Sequence, residues 1–148
     1  FLPATEEELA QIAQLDPKND FDKLLWHADR DEKPAVCEAA TARLRSDPEF
    51  VDRMAVMLDS GFAEPALAFL RDAELTPAEK ARFARPALNA LGRWVNSAPP
   101  PNFTTSEHLK RTRRFGDELF RVLPEKFAGT GVNFSELQGW YKEKMEVE

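Results

Sequence analysis

One short stretch of the sequence gathers residue types that can ligate a metal or transfer a proton. His27, Asp29, Asp31 and Glu32 lie within six residues. His27 and Asp31 would share a face if one helix ran through both, because residues four apart are neighbours on a helix. However, Asp31 is expected to cap a new helix, and no His-Glu-x-x-His or similar zinc spacing occurs. We therefore interpret the group as a solvated helix end and predict no metal and no cofactor.

The other candidates for catalysis are isolated residues. Cys37 lies between Val36 and Ala40 on an apolar helical stripe, so we expect a buried, unreactive thiol. The second of the two histidines, His108, is far from His27 in the chain. The sequence has no glycine-rich phosphate loop and offers few members for a Ser-His-Asp or Cys-His arrangement. We predict that the chain is not an enzyme.

A basic segment offers a possible anion site. Lys110, Arg111, Arg114 and Arg121 lie opposite the apolar stripe of a predicted helix, and they should therefore face solvent. Acidic residues follow on the same face at helical spacing. A solvated face with ion pairs is the favoured interpretation, because such pairing is routine on exposed helices. Anion binding by these four residues is the alternative.

Three aromatic residues lie off the apolar stripes of their helices. They are Trp26, Phe69 and Trp94. Packing against a second neighbouring helix is one explanation, and exposed anchors for a partner are the other. We retain these three as possible partner-binding residues.

Composition and charge limit the possible functions. The chain has 148 residues and a net charge of −6, and its apolar fraction of 43% is typical of one globular domain. Residues 1–74 carry 17 acidic and 8 basic side chains, a net −9, whereas residues 75–148 carry 9 and 12, a net +3. Overall acidity argues against a primary nucleic-acid binder, and no apolar run is long enough to span a membrane.

The first residue bears on the compartment. The chain opens at Phe1 rather than at methionine. We expect that a leader, an anchor or another domain precedes it, so that the chain is part of a longer polypeptide. A cytoplasmic and an exported protein both remain open, as do the identity of the partner and the oligomeric state.

The elements that must position these residues are predicted to be helices. Sequence signals for strands and hairpins are missing, whereas Thr5, Thr76 and Ser135 begin capping boxes. We expect about eight helices in one domain, residues 1–148, with a Pro-rich surface loop at about 96–105 and a capping helix at about 135–147. Pro86 should break one helix and Pro124 should end another, because proline lacks the backbone donor.

Prolines recur at one place in successive helix pairs. Pro34, Pro65 and Pro86 each precede an alanine and an apolar run, and the first two are 31 residues apart. An Asp-Pro pair recurs with the same offset at positions 16 and 47. The pattern predicts duplicated helix pairs that stack, with the three prolines in the first turns of helices that pack side by side.

The closing stretch carries a family resemblance. Residues 126–134 form a Gly-Thr-Gly turn between aromatics, and Leu137, Trp140 and Tyr141 follow. With the repeated helix starts, this resembles the tail of bacterial HEAT-like repeat domains, although one tyrosine stands where paired tryptophans are common. The resemblance covers about residues 16–148. It implies an all-α superhelix of stacked antiparallel helix pairs that serves as a binding scaffold.

The functional prediction follows from these points. The chain should be a non-enzymatic module that binds a protein or a peptide. The alternative is a nucleic-acid-binding domain that uses the basic C-terminal half, because HEAT-like folds include DNA-binding glycosylases. The last helix should cap the stack, with Trp140 mostly buried against residues 106–123 and with Lys142, Glu143 and Glu146 in water.

Overall fold

The computed structural model describes residues 2–146, which fold into α-helices. The all-α prediction is confirmed: the described residues contain eight α-helices, one short 3-10 helix and no strand. None of these helices is long and apolar enough to cross a membrane. The α-helices are α1 (Glu6–Gln14), α2 (Phe21–His27), α3 (Pro34–Arg45), α4 (Phe50–Leu58), α5 (Glu64–Asp72), α6 (Pro77–Ser97), α7 (Ser106–Lys126) and α8 (Ser135–Met145).

The described residues fall into two compact units that meet in sequence between Glu74 and Leu75. Helices α1–α5 form the first unit, and α6–α8 form the second. This boundary coincides with the change from net negative to net positive charge in the sequence. The acidic and basic halves are therefore separate structural units.

The first unit is built around α2. In it, α3 packs against α1 and α2, and α5 packs against α2 and α4. Phe50 of α4 has ring contacts with Phe21 at 6.2 Å and with Phe69 at 5.8 Å between ring centroids. The guanidinium of Arg45 lies 5.2 Å from the Phe50 ring centroid and donates a hydrogen bond to the Glu74 carbonyl. Apolar packing and a cation–π contact thus hold the end of α3 on the core.

The capping boxes predicted at Thr5 and Thr76 are confirmed, whereas the one predicted at Ser135 is wrong, because Ser135 is already the first residue of α8 and the preceding Phe134 makes no side-chain cap. At α1 the Thr5 hydroxyl accepts from the Glu8 amide, and the Glu8 carboxylate accepts from the Thr5 amide. Thr76 and Glu79 repeat the pattern at α6. Each box satisfies two backbone donors that have no partner within the helix.

Glu8 also joins α1 to the start of α3. Lys33 donates to Glu8 Oε1 at 2.7 Å. This bond is the main reason why the pKa of Glu8 falls from 4.5 to about 2, and the bond from the Thr5 amide adds to it. The resulting stabilisation is present above the unfolded-state pKa and is lost as pH falls from about 4.5 towards 2.

We therefore expect Glu8→Gln to flatten the acid dependence of stability. The measurement is the urea midpoint of unfolding between pH 2.5 and 7, followed by circular dichroism. Glu7→Gln, in the same exposed turn, should keep the pH dependence of the parent. Equal acid slopes in the Glu8 variant and the parent would contradict this assignment.

The predicted helix break at Pro86 is wrong. Pro86 lies inside α6, which runs without interruption from Pro77 to Ser97. The buried stripe of Phe83, Ala87, Leu91 and Val95 keeps its four-residue spacing across the proline. A proline inside a helix costs about 3 kcal/mol, whereas burying each large apolar side chain contributes about 1.5–3 kcal/mol. Continuous burial therefore outweighs the missing hydrogen bond.

The other proline positions give a mixed result. Pro34 begins α3 and Pro65 is the second residue of α5, so both occupy first turns as predicted. Pro86 does not, and the threefold repetition therefore fails at its third copy. The prediction that Pro124 ends a helix is also wrong, because α7 continues to Lys126.

The second unit is held together by aromatic contacts. Trp94 of α6 lies edge-on to Phe115 of α7, with 5.5 Å between ring centroids. Tyr141 of α8 contacts both Trp94, at 6.1 Å, and Phe120, at 4.9 Å. The connection between α6 and α7 contains the 3-10 turn Pro101–Phe103. All three helices thus share one aromatic cluster.

Candidate binding groove of the second unit

Tyr141, rather than Trp140, anchors α8. Tyr141 is 2% exposed and its hydroxyl donates to the Asp117 carboxylate at 3.0 Å. Its ring lies against Gly116, where α7 has no side chain. Trp140 is 43% exposed, so the prediction that it is mostly buried is wrong. The two side chains point about 100° apart around the helix axis. The space left by the missing side chain of Gly116 accommodates Tyr141, so Tyr141 is the one that is buried.

Polar contacts hold the far end of α8. Lys144 donates to the carbonyls of Val95 and Asn96, at 2.7 and 3.0 Å, in the last turn of α6. These carbonyls have no amide partner within their helix, and a lysine there also complements the negative end of the helix dipole. Arg113 of α7 donates to the Met145 carbonyl at the end of α8. These three bonds fix α8 relative to α6 and α7.

An open groove lies between this fixed α8 and the second half of α6. Its volume is about 710 Å³. Leu88, Gly92 and Leu137 are half-buried and form its apolar floor. The other lining residues are exposed and form its rim: Asn89, Arg93 and Asn96 from α6, Glu136 and Trp140 from α8, and Asn133 from the preceding turn.

The lining combines an apolar floor with polar and charged side chains. It contains no cysteine, histidine, serine or lysine. An apolar centre with a polar rim also occurs in protein interfaces, in which the centre supplies affinity and the rim supplies orientation. Lys142, Glu143 and Glu146 are exposed beyond it, as predicted.

The three predicted partner-binding aromatics differ in exposure. Trp26 is 64% exposed on α2 of the first unit. Phe69 is 3% exposed and packs on Phe50, so it belongs to the core and cannot be a surface anchor. Trp94 is half-buried under Phe115 and Tyr141. Of the three, Trp26 alone offers a largely exposed ring.

The four basic residues of α7 are exposed, as predicted. They are Lys110, Arg111, Arg114 and Arg121. Exposed carboxylates share the helix at Glu107, Asp117 and Glu125. The mixed signs weaken the local potential that a phosphate backbone needs.

The histidine cluster is a set of local hydrogen bonds. His27 Nδ1 lies 3.0 Å from Glu32 Oε2, and this bond is the main cause of the lowered pKa of Glu32. Asp29 accepts from the Asp31 amide. Within residues 2–146, no three histidine, cysteine or acidic side chains come together in a way that could hold a metal ion.

Cys37 is half-buried, so the prediction of full burial is wrong. Its thiol donates to the Ala28 carbonyl at 3.3 Å, at the end of α2. Partial burial raises the pKa of the thiol. A raised pKa reduces the thiolate fraction at neutral pH, so the thiol is a poor nucleophile despite its partial exposure.

A smaller groove of about 370 Å³ lies on the first unit beside α4. Its lining includes Arg53, which donates hydrogen bonds to Asp47 and Glu49, both at 2.6 Å. Val56 is the exposed apolar residue in its lining. The groove of the second unit is larger and has an exposed tryptophan, Trp140, in its lining.

No family model, curated protein or solved structure matches this chain. The HEAT-like resemblance remains a prediction.

Sequence reasoning missed the groove. Asn89 and Asn96 gave no signal in the sequence. The α6 and α8 sides of the groove are about 45 residues apart in the chain and meet only through the fold. Gly116 was a usable signal. A glycine that interrupts the buried stripe of a long helix often marks the close approach of another group.

Proposed function

We propose that this chain is a non-enzymatic module that binds a protein or peptide in the groove between α6 and α8. The observation that carries the proposal is the exposed Trp140 beside an apolar floor. Tyr141 and Lys144 already anchor α8, so the fold does not need the exposed face of Trp140. Tryptophan is the residue type most enriched at the energetic centre of protein interfaces.

Charge favours a protein ligand over a nucleic acid. One rim of the groove carries Arg93 and the other carries Glu136. Every unit of a nucleic-acid backbone carries the same negative charge, whereas a peptide can place side chains of different character against the two rims. The basic residues of α7 are interspersed with carboxylates and do not compensate for this.

Selection from a random peptide library displayed on phage tests the proposal. We expect enriched peptides whose affinity falls at least about tenfold in Trp140→Ala, because a truncated hot-spot residue costs about 2 kcal/mol or more. Trp26→Ala removes an exposed tryptophan from the other unit and should leave the affinity unchanged.

Two outcomes would overturn the proposal. One is a library that yields no peptide, or yields peptides indifferent to Trp140. The other is a labelled single-stranded oligothymidine that binds more tightly than any selected peptide and is lost in an Arg111→Gln/Arg114→Gln variant. The second result would establish the nucleic-acid alternative.

A further inference from the structure

The α6 rim of the groove belongs to a longer polar stripe. Arg82, Arg85, Asn89, Arg93 and Asn96 are spaced three or four residues apart, so they share one face of α6, and all five are exposed. The stripe has three arginines and no carboxylate. Two of the arginines precede the groove in the helix, so the positive charge extends beyond the end marked by Leu88.

The two asparagines of the stripe have a spacing that matches an extended peptide. Asn89 and Asn96 are seven residues apart on one helix, which corresponds to about 10.5 Å along its axis. Three residues of an extended chain span about 10 Å. A side-chain amide offers both an acceptor and donors, the pair of groups that each backbone peptide unit presents. Two such amides on one rim can therefore bind peptide units three residues apart.

We propose that the groove binds an acidic peptide segment in extended conformation, an inference that rests on the proposed function and specifies its ligand. Asn89 and Asn96 bind the ligand backbone. Its apolar side chains lie on Leu88, Leu137 and Trp140. Its carboxylates, on alternate residues, are reached from the α6 rim by the long arginine side chains.

The charges of the two rims predict how the affinity depends on the charge of the ligand. Arginine binds carboxylates with two parallel hydrogen bonds, which favours acidic ligands along α6. Glu136 on the opposite rim repels the same ligand and limits its affinity. Removing charge from the two rims should therefore change the affinity in opposite directions. A basic ligand would show the reverse pattern.

Fluorescence anisotropy with defined peptides tests the inference. The probe is a fluorescein-labelled decapeptide with three Glu-Leu repeats between Gly-Ser ends. Its analogues replace every glutamate by glutamine or by lysine. We expect the glutamate peptide to bind at least about tenfold more tightly than the glutamine peptide, and the lysine peptide to bind most weakly. Methylation of alternate backbone nitrogens should weaken binding about tenfold, because it removes donors to the asparagines.

Matched variants locate the effect. Arg82→Gln/Arg85→Gln should weaken the glutamate peptide about tenfold and reduce its salt dependence, whereas Glu136→Gln should strengthen its binding. Arg111→Gln/Arg114→Gln removes two exposed arginines from α7 and should change nothing.

The inference is overturned if the glutamate and glutamine peptides bind equally, or if the α7 variant is the one that weakens binding. It also fails if oligothymidine or a second copy of the chain displaces the peptide and itself depends on Arg82 and Arg85. Peptides whose affinity does not depend on their charge but still requires Trp140 would rule out the acidic ligand. That result would leave the proposed function standing. Loss of every Trp140-dependent peptide would reject both.

Discussion

Replacing Tyr141 by alanine is expected to lower the free energy of unfolding by about 3–5 kcal/mol, the range measured for deleting a large buried aromatic side chain. The ring is buried between Trp94 and Phe120, and its hydroxyl donates to Asp117. Urea unfolding followed by circular dichroism measures the loss. Trp140→Ala is the matched control. It should cost clearly less, because the Trp140 side chain is substantially exposed.

Tyr141→Phe separates the hydroxyl from the ring. Burial, and then the bond to Asp117, raises the pKa of the Tyr141 phenol above its usual value of 10.0. The associated stability is complete below pH 10 and is lost as pH rises through the folded-state pKa, because the unfolded chain releases the proton first. The parent should therefore lose stability above pH 10 more steeply than the phenylalanine variant. Equal losses in Tyr141→Ala and Trp140→Ala would contradict the assignment of Tyr141 as the anchor of α8.

Gly116→Ala is expected to destabilise the second unit by about 1–3 kcal/mol, the usual cost of overpacking a core. A Cβ at position 116 would lie 2.5 Å from Cζ and 2.6 Å from Cε1 of Tyr141. The Tyr141 ring would have to move away from position 116, and α8 would move with it. A thermal melt of the variant measures the loss.

Gly139→Ala is the control for the glycine change. A Cβ at position 139 would meet no atom within 4 Å. Replacing an exposed helical glycine by alanine stabilises a helix by roughly 0.5–1 kcal/mol. The two substitutions should therefore shift the melting temperature in opposite directions. Stabilisation by both would contradict the close approach of Tyr141 to α7.

The sequence predicted most of the helices because their first turns carry local signals. The capping boxes at Thr5 and Thr76 depend on residues three apart, and local geometry alone decides whether they form. The all-α class followed from the same signals. Pro86 was mispredicted because the local cost of a proline in a helix was considered alone. The buried apolar stripe keeps its four-residue spacing from Phe83 to Val95 and outweighs that cost.

The candidate site could not be predicted in the same way. Trp140 and Tyr141 are adjacent, and either could have faced the core. The choice depended on Gly116, whose missing side chain admits one ring, and on Asp117, which accepts its hydroxyl bond. Both lie about 25 residues away in the chain. Tertiary contacts of this kind override local patterns.

Anchoring and binding are divided between neighbouring residues of α8. Tyr141 and Lys144 fix the helix, while Glu136 and Trp140 face the groove. A rigidly held α8 reduces the conformational entropy lost on binding, because the protein side of the interface is already ordered. Substitutions at Trp140 should accordingly change affinity more than stability, and substitutions at Tyr141 should do the reverse.

The measurement that tests the central claim most directly is a map of amide chemical shifts with a library-selected peptide. The parent protein is labelled with ¹⁵N and titrated to saturation. The account predicts that the largest changes fall on residues 88–96 of α6 and 133–140 of α8, including the side-chain amides of Asn89 and Asn96. Changes concentrated on α7 between Lys110 and Arg121, or on residues 2–74, would contradict it.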